Sequence, residues 1–119
     1  MIPSRLKRVE ELVKEQVALI IQREMKDPRL KFTTVTDVNV TKDLRNANVY
    51  VIVHNETEGH ISEVLEALNS ASGFIRHSLG QRVVLRYLPS LEFFYDDSFS
   101  KAQKIDTLIH QIRAERDEE

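Results

Sequence analysis

The sequence predicts an α+β domain in which helices cover one face of a small sheet. Three observations carry that expectation. Residues Asn46 to Asn55 alternate, with Ala47, Val49, Val51 and Val53 on one side and Asn48, Tyr50, Ile52 and His54 on the other, as a half-buried strand does. Apolar residues recur every three or four positions from Leu6 to Ile20 and again from Ile61 to Leu79, the period of amphipathic helices. After the second helical stretch the chain returns to a strand-like "LEFFY" at 91–95. Re-entering a sheet after helices calls for a crossover, which sets this strand parallel to an earlier one.

Each element has a local justification. Ser4 can cap a first helix whose buried face is Leu6, Val9, Val13, Val17 and Ile20. A capping box would place an acid or amide three residues on, and Lys7 stands there instead. The helix should end near Lys26, because Pro28 disfavours helical geometry at Asp27. Strands are expected over Thr34–Thr41 and Asn46–Asn55, joined by the hairpin-length "KDLR".

The next helical stripe is Ile61, Val64, Leu65, Leu68, Ala71, Ile75 and Leu79, with Gly73 facing away from it. A glycine inside a helix costs about 1 kcal/mol relative to alanine. Ala71-Ser72-Gly73 is therefore read as a bend between two helices, with Gly73 supplying a positive φ or admitting a neighbouring backbone. "VVLRYLPSLEFFYDD" reads as extended chain interrupted at Pro89. Ser98 or Ser100 can cap a last helix carrying Ile105, Leu108, Ile109 and Ile112. The chain is read as one domain over 1–113. Residues 114–119, with four acids and Ala114 their one apolar residue, form an acidic tail expected to fray and to be dispensable for folding.

Composition narrows the function. The 119 residues, 41% hydrophobic and 30% charged, suit an ordinary globular domain. Without cysteine there is no disulfide scaffold, thiolate metal site or cysteine nucleophile. Arg5, Lys7 and Arg8 are closely followed by Glu10 and Glu11, which is no secretory leader, and no apolar run approaches the ~20 residues of a membrane helix. A cytoplasmic protein is expected. Enzyme constellations are thin: His77-Ser78 lacks a nucleophile elbow, and the histidines at 54, 60, 77 and 110 show no ligand spacing. No catalytic residue, metal or cofactor is assigned.

The net charge of −2 conceals an uneven distribution. Residues 1–31 hold eight Lys or Arg against five acids, and residues 67–91 hold three against none, while residues 96–119 hold four against seven. A basic body with an acidic tail can present an anion-binding surface behind a neutral total. Arg76, Arg82 and Arg86 follow the helix joint without the acidic complement that a mixed, merely solvated surface carries. Arg5, Arg8, Arg23 and Lys26 run along one flank of the first helix. Periodicity does not say whether the two basic strips meet.

Four stretches carry a resemblance to a known family: "REMKDPRL" at 23–30, "VTKDLRNANVYV" at 40–51, "NSASGFIR" at 69–76 and "LPSLEFFYDDS" at 88–98. In these, and over nearly its whole length, the chain resembles ribosome-binding factor A, the bacterial cold-shock factor for small-subunit maturation. The resemblance implies a type II KH fold, helix-strand-strand-helix-kink-helix-strand. In it an Ala-x-Gly kink, here Ala71-Ser72-Gly73, replaces the Gly-x-x-Gly loop that clamps nucleotides in ordinary KH domains. Recognition by shape and phosphate charge follows from that loss. The resemblance further implies binding to the free 30S subunit or its precursor, help in late maturation of 16S rRNA including its 5′-terminal region, and release aided by a ribosome-associated GTPase. It implies a non-catalytic, monomeric, cytoplasmic factor. From charge and placement, the expected RNA contacts are Arg8, Arg23, Arg29, Lys42, Arg45, Arg76, Arg82 and Arg86. The rival reading is a protein-interaction module that docks a partner through the last helix and the acidic tail.

Overall fold

The computed structural model describes residues 4–54 and 58–98. Ser4 opens α1 (Arg5–Arg23), its Oγ accepting the Lys7 N–H at 3.2 Å. The helix stops short of the expected Lys26: the Glu24 N–H closes the last turn on the Ile20 carbonyl at 2.9 Å. Asp27, extended ahead of Pro28 as a pre-proline residue prefers, then caps a 3-10 turn over Pro28–Leu30. The proline's influence thus reaches the chain as a second cap rather than as the helix end.

β1 (Thr33–Val40) and β2 (Asn46–Val53) form an antiparallel hairpin, and β3 (Ser90–Tyr95) lies parallel to β2, giving the sheet order β1-β2-β3. Register shifts at Thr36, between Val35 and Asp37. The Thr36 hydroxyl lies 3.3 Å from the Tyr50 carbonyl and 2.5 Å from the Asp96 carboxylate, so one β1 side chain reaches β2 and the residue that follows β3. In the hairpin the Leu44 N–H bonds to the Thr41 carbonyl at 2.8 Å, and Leu44 takes a φ of 64°, an uncommon state for a bulky residue.

Two further helices, α2 (Glu58–Ser70) and α3 (Ser72–Arg82), cross from β2 to β3. α1 lies over β1 and against α3, while α2 and α3 cover β3. Ala47, Val49, Val51 and Val53 are buried beneath them, as the alternation predicts, together with Val13, Val17, Ile20, Val64, Leu68, Ile75, Leu79 and Phe93. Each large apolar side chain in such a core contributes roughly 1.5–3 kcal/mol. Side chains from the helices also satisfy the sheet's outer edges. The Asn69 amide accepts the Phe93 N–H at 2.9 Å and donates to the Phe93 carbonyl at 3.2 Å, as a fourth strand would. Glu10 accepts the Val40 N–H at 2.9 Å.

The helix joint is present, but its cause differs from the expectation. The break falls at Ala71 (φ −91°, ψ 3°), whose N–H is shared between the Ala67 and Leu68 carbonyls at 3.1 Å each. Gly73 is an exposed residue of the first turn of α3 without a positive φ, and a Cβ added to it would meet nothing within 4 Å. Neither reason for a glycine applies; the bend is made by the backbone of Ala71. The element order is otherwise that of the KH-like arrangement. The expected last helix and the 114–119 tail lie outside the described residues.

Candidate nucleic-acid interface

Parallel pairing of β2 and β3 places the starts of both strands at the same end of the sheet. Asn46 stands opposite Ser90, and the Ser90 N–H donates to the Arg45 carbonyl at 2.8 Å. The residues just before each strand, Arg45 on one side and Arg86-Tyr87 on the other, are thereby brought together. The guanidinium carbons of Arg45 and Arg86 lie 5.3 and 5.4 Å from the centre of the Tyr87 ring, both within cation–π range.

Arg76 reaches the same place from α3. Its Nε donates to the Pro89 carbonyl at 3.2 Å and its Nη2 to the Leu88 carbonyl at 2.9 Å. These bonds tie the helix to the strand-entry segment and fix the backbone that carries Tyr87. A guanidinium has five N–H donors, so Arg76 retains donors and its full charge. The cleft so formed, about 470 Å³, is lined by Arg45, Asn46, Arg76, Arg86, Tyr87 and Ser90 among others, and none of its lining residues is acidic. Two carboxylates lie two residues from the lining in sequence, Glu92 after Ser90 and Asp43 before Arg45; the Asp43 Oδ1 accepts the Thr41 hydroxyl at 2.6 Å and the Arg45 N–H at 3.1 Å. Those bonds, the Thr41 hydroxyl first, together with the nearby Arg45 charge hold the Asp43 carboxyl below the usual carboxylate range, so Asp43 offsets part of the Arg45 charge.

The other expected contacts are scattered. Lys42 is exposed in the hairpin loop, three residues before Arg45. Arg82, near the end of α3, donates to Glu24 at 3.3 Å at the C-terminal end of α1. Arg23 is exposed at that end, and Arg8 lies about 22 Å away along the same helix at 1.5 Å per residue. Arg29 is committed to Asp27: Nη2 and Nε approach its two oxygens, the shortest contact 2.6 Å. The Arg29 side chain holds the Asp27 carboxyl below its ordinary value, and Asp27 in turn raises that of Arg29. Among the described residues, the cations paired to a carboxylate are Arg29 and Arg82. Of the eight residues, the fold therefore gathers Arg45, Arg76 and Arg86, and pairs Arg29 and Arg82 with carboxylates.

Tyr87 escaped the sequence reading, which weighed the arginines and not the ring between them. The adjacency "RY" immediately before Leu88-Pro89 is its only local signal. Among the described residues there is no group of three or more His, Cys, Asp or Glu that could hold a metal, and no helix is long and apolar enough to cross a membrane.

A model of one protein family, described as ribosome-binding factor A, matches residues 5–109. A ribosome-binding factor A of Hahella chejuensis is 48% identical over 116 residues, covering 93% of this chain and 86% of that protein. The crystal structure of ribosome-binding factor A from Thermus thermophilus superposes with a TM-score of 0.67 at 36% identity, over 77% of this chain and 97% of that one. A homology model of the Thermus thermophilus factor, fitted into the cryo-EM map of its complex with the 30S subunit, gives 0.63 at 37% identity, over 76% and 93%.

Proposed function

We propose that this chain, which belongs to the ribosome-binding factor A family, binds the free 30S subunit or its precursor through the basic cleft. There it assists late maturation of 16S rRNA, including the 5′-terminal region, with particular weight in the cold. The observation that carries this reading is the convergence of Arg45, Arg76 and Arg86 from three segments on a cleft without a carboxylate in its lining. Three guanidiniums facing solvent together repel one another, and an anionic partner that neutralises them removes that cost. Polyanionic RNA backbone supplies such a partner, with affinity from displaced counterions.

The work assigned is steric and electrostatic. Occupying the immature subunit holds rRNA elements in place and keeps the particle from translation, and no covalent step is assigned to any residue. Release by a ribosome-associated GTPase, a monomeric state and a cytoplasmic location complete the reading. Co-sedimentation of the purified chain with separated 30S, 50S and 70S particles tests it. Selective pelleting with 30S is expected, whereas equal or absent pelleting with all three refutes the proposal.

A further inference from the structure

The cleft holds an aromatic ring that phosphate binding alone does not require. Tyr87 remains 40% exposed although two guanidiniums approach it. The ring and both guanidiniums are planar π surfaces, and single-stranded RNA bases stack on either kind. The supporting backbone is held from two sides, by Arg76 on the Leu88 and Pro89 carbonyls and by the Ser90 N–H on the Arg45 carbonyl. Pro89 itself is fully buried. The platform is therefore pre-ordered, and a ligand entering it has little chain entropy to overcome.

We propose that the Arg45–Tyr87–Arg86 cluster receives one unpaired nucleotide of single-stranded RNA, its base stacked on Tyr87 and its flanking phosphates neutralised by Arg45, Arg76 and Arg86. This deepens the reading of the cleft as an RNA site and rests on it. A duplex presents stacked, inaccessible bases and would leave Tyr87 unused, so the occupant is a splayed single strand. The volume of about 470 Å³ suits a group of nucleotide size, within the range of small-ligand pockets. Asn46 and Ser90 line the same wall and offer hydrogen-bonding groups to a base edge or ribose. The site does not replace the lost Gly-x-x-Gly clamp: it lies where β2 and β3 begin, away from the α2–α3 joint, and takes one residue.

The chain contains no tryptophan, so Tyr87→Trp places a single indole reporter in the cluster. The full-length variant is titrated with a hexaadenylate and with an abasic hexamer of equal charge. Quenching by hexaadenylate, with at least fivefold weaker binding of the abasic strand, is expected from the loss of one base stack. Unchanged indole emission at saturation, or equal affinity for both strands, overturns the proposal. In parallel, Tyr87→Leu should lower 30S affinity by about fivefold or more while the salt dependence stays that of the parent chain. Undiminished 30S binding by Tyr87→Leu sinks the stacking role and leaves subunit binding intact. Failure of the parent chain to bind 30S under the same conditions instead sinks the broader reading.

Discussion

Replacing Gly73 by alanine separates two explanations of the helix joint. The structure places Gly73 second in α3 after the Ala71 break, exposed, without a positive φ and with nothing within 4 Å of an added Cβ. An alanine there loses less backbone entropy on folding, which inside a helix is worth about 0.8–1 kcal/mol. Gly73 sits in the first turn, where fewer neighbouring hydrogen bonds share the benefit, so Gly73→Ala should stabilise the isolated domain by about 0.3–1 kcal/mol. That corresponds to a rise in Tm of roughly 1–5 °C for a domain of this size. Gly80 provides an internal comparison. A Cβ on Gly80 would come to 2.9 Å from Leu88 Cδ2, the far end of a flexible side chain. Rotating Leu88 aside offsets the helix gain, and Gly80→Ala should fall within about ±0.5 kcal/mol of the parent. Urea unfolding of the RNA-free proteins measures both. A Gly73→Ala variant less stable than the parent would refute the reasoning and return Gly73 to the bend.

Other expectations follow from single contacts. Asn69→Ala leaves the Phe93 N–H and carbonyl at the sheet edge without partners, and urea unfolding should show a loss of about 1–3 kcal/mol. Arg76→Ala should lower stability by about 1–2 kcal/mol in the same assay, since its two charged hydrogen bonds hold the strand-entry segment and are partly exposed. The Asp96 carboxyl is held below its ordinary value by hydrogen bonds from the Ser98 hydroxyl first and Thr36 next. Its contribution is complete above the unfolded value of about 3.9 and is lost as pH falls through the lower native value. Asp96→Asn should therefore be less stable than the parent at neutral pH, and the two unfolding curves should converge in acid below about pH 4. Truncation after Arg113 should leave Tm within a few degrees, roughly, because the removed segment has almost nothing to bury.

The parts of the fold set by local periodicity were legible before any coordinates. The Val49, Val51 and Val53 alternation located the buried face, the Ser4 cap located the start of α1, and the need for a crossover gave β3 its parallel direction. Strand and helix ends moved by a few residues because caps such as Asp27 depend on side-chain geometry that periodicity does not contain. The site was legible only as an excess of charge. Arg29 and Arg76 look alike in sequence, but one is neutralised two residues away and the other supports backbone twelve and thirteen residues on. The Asp27–Arg29 spacing could have exposed the first; the second is tertiary. Tyr87 became visible only when parallel pairing set Arg45 beside it. At the helix joint the hydrophobic phase runs on unbroken from Ile61 to Leu79, and the helix-breaking tendency of Gly73 pointed to the right place for the wrong reason, because the torsion that makes the bend belongs to the neighbouring Ala71.

The central claim is that the arginines of the cleft, none of which forms an ion pair among the described residues, bind rRNA phosphates. Its most direct test is the salt dependence of 30S binding for Arg45→Gln/Arg86→Gln against the parent, with Arg29→Gln as the neutralised control. Each phosphate contact removed should lower the slope of log affinity against log salt by about 0.7–0.9, so the double variant should lose roughly 1.4–1.8 and bind more weakly. Arg29→Gln should leave slope and affinity near those of the parent. A double variant with the parent's slope and affinity, or a loss in Arg29→Gln equal to that of the double variant, would contradict the account.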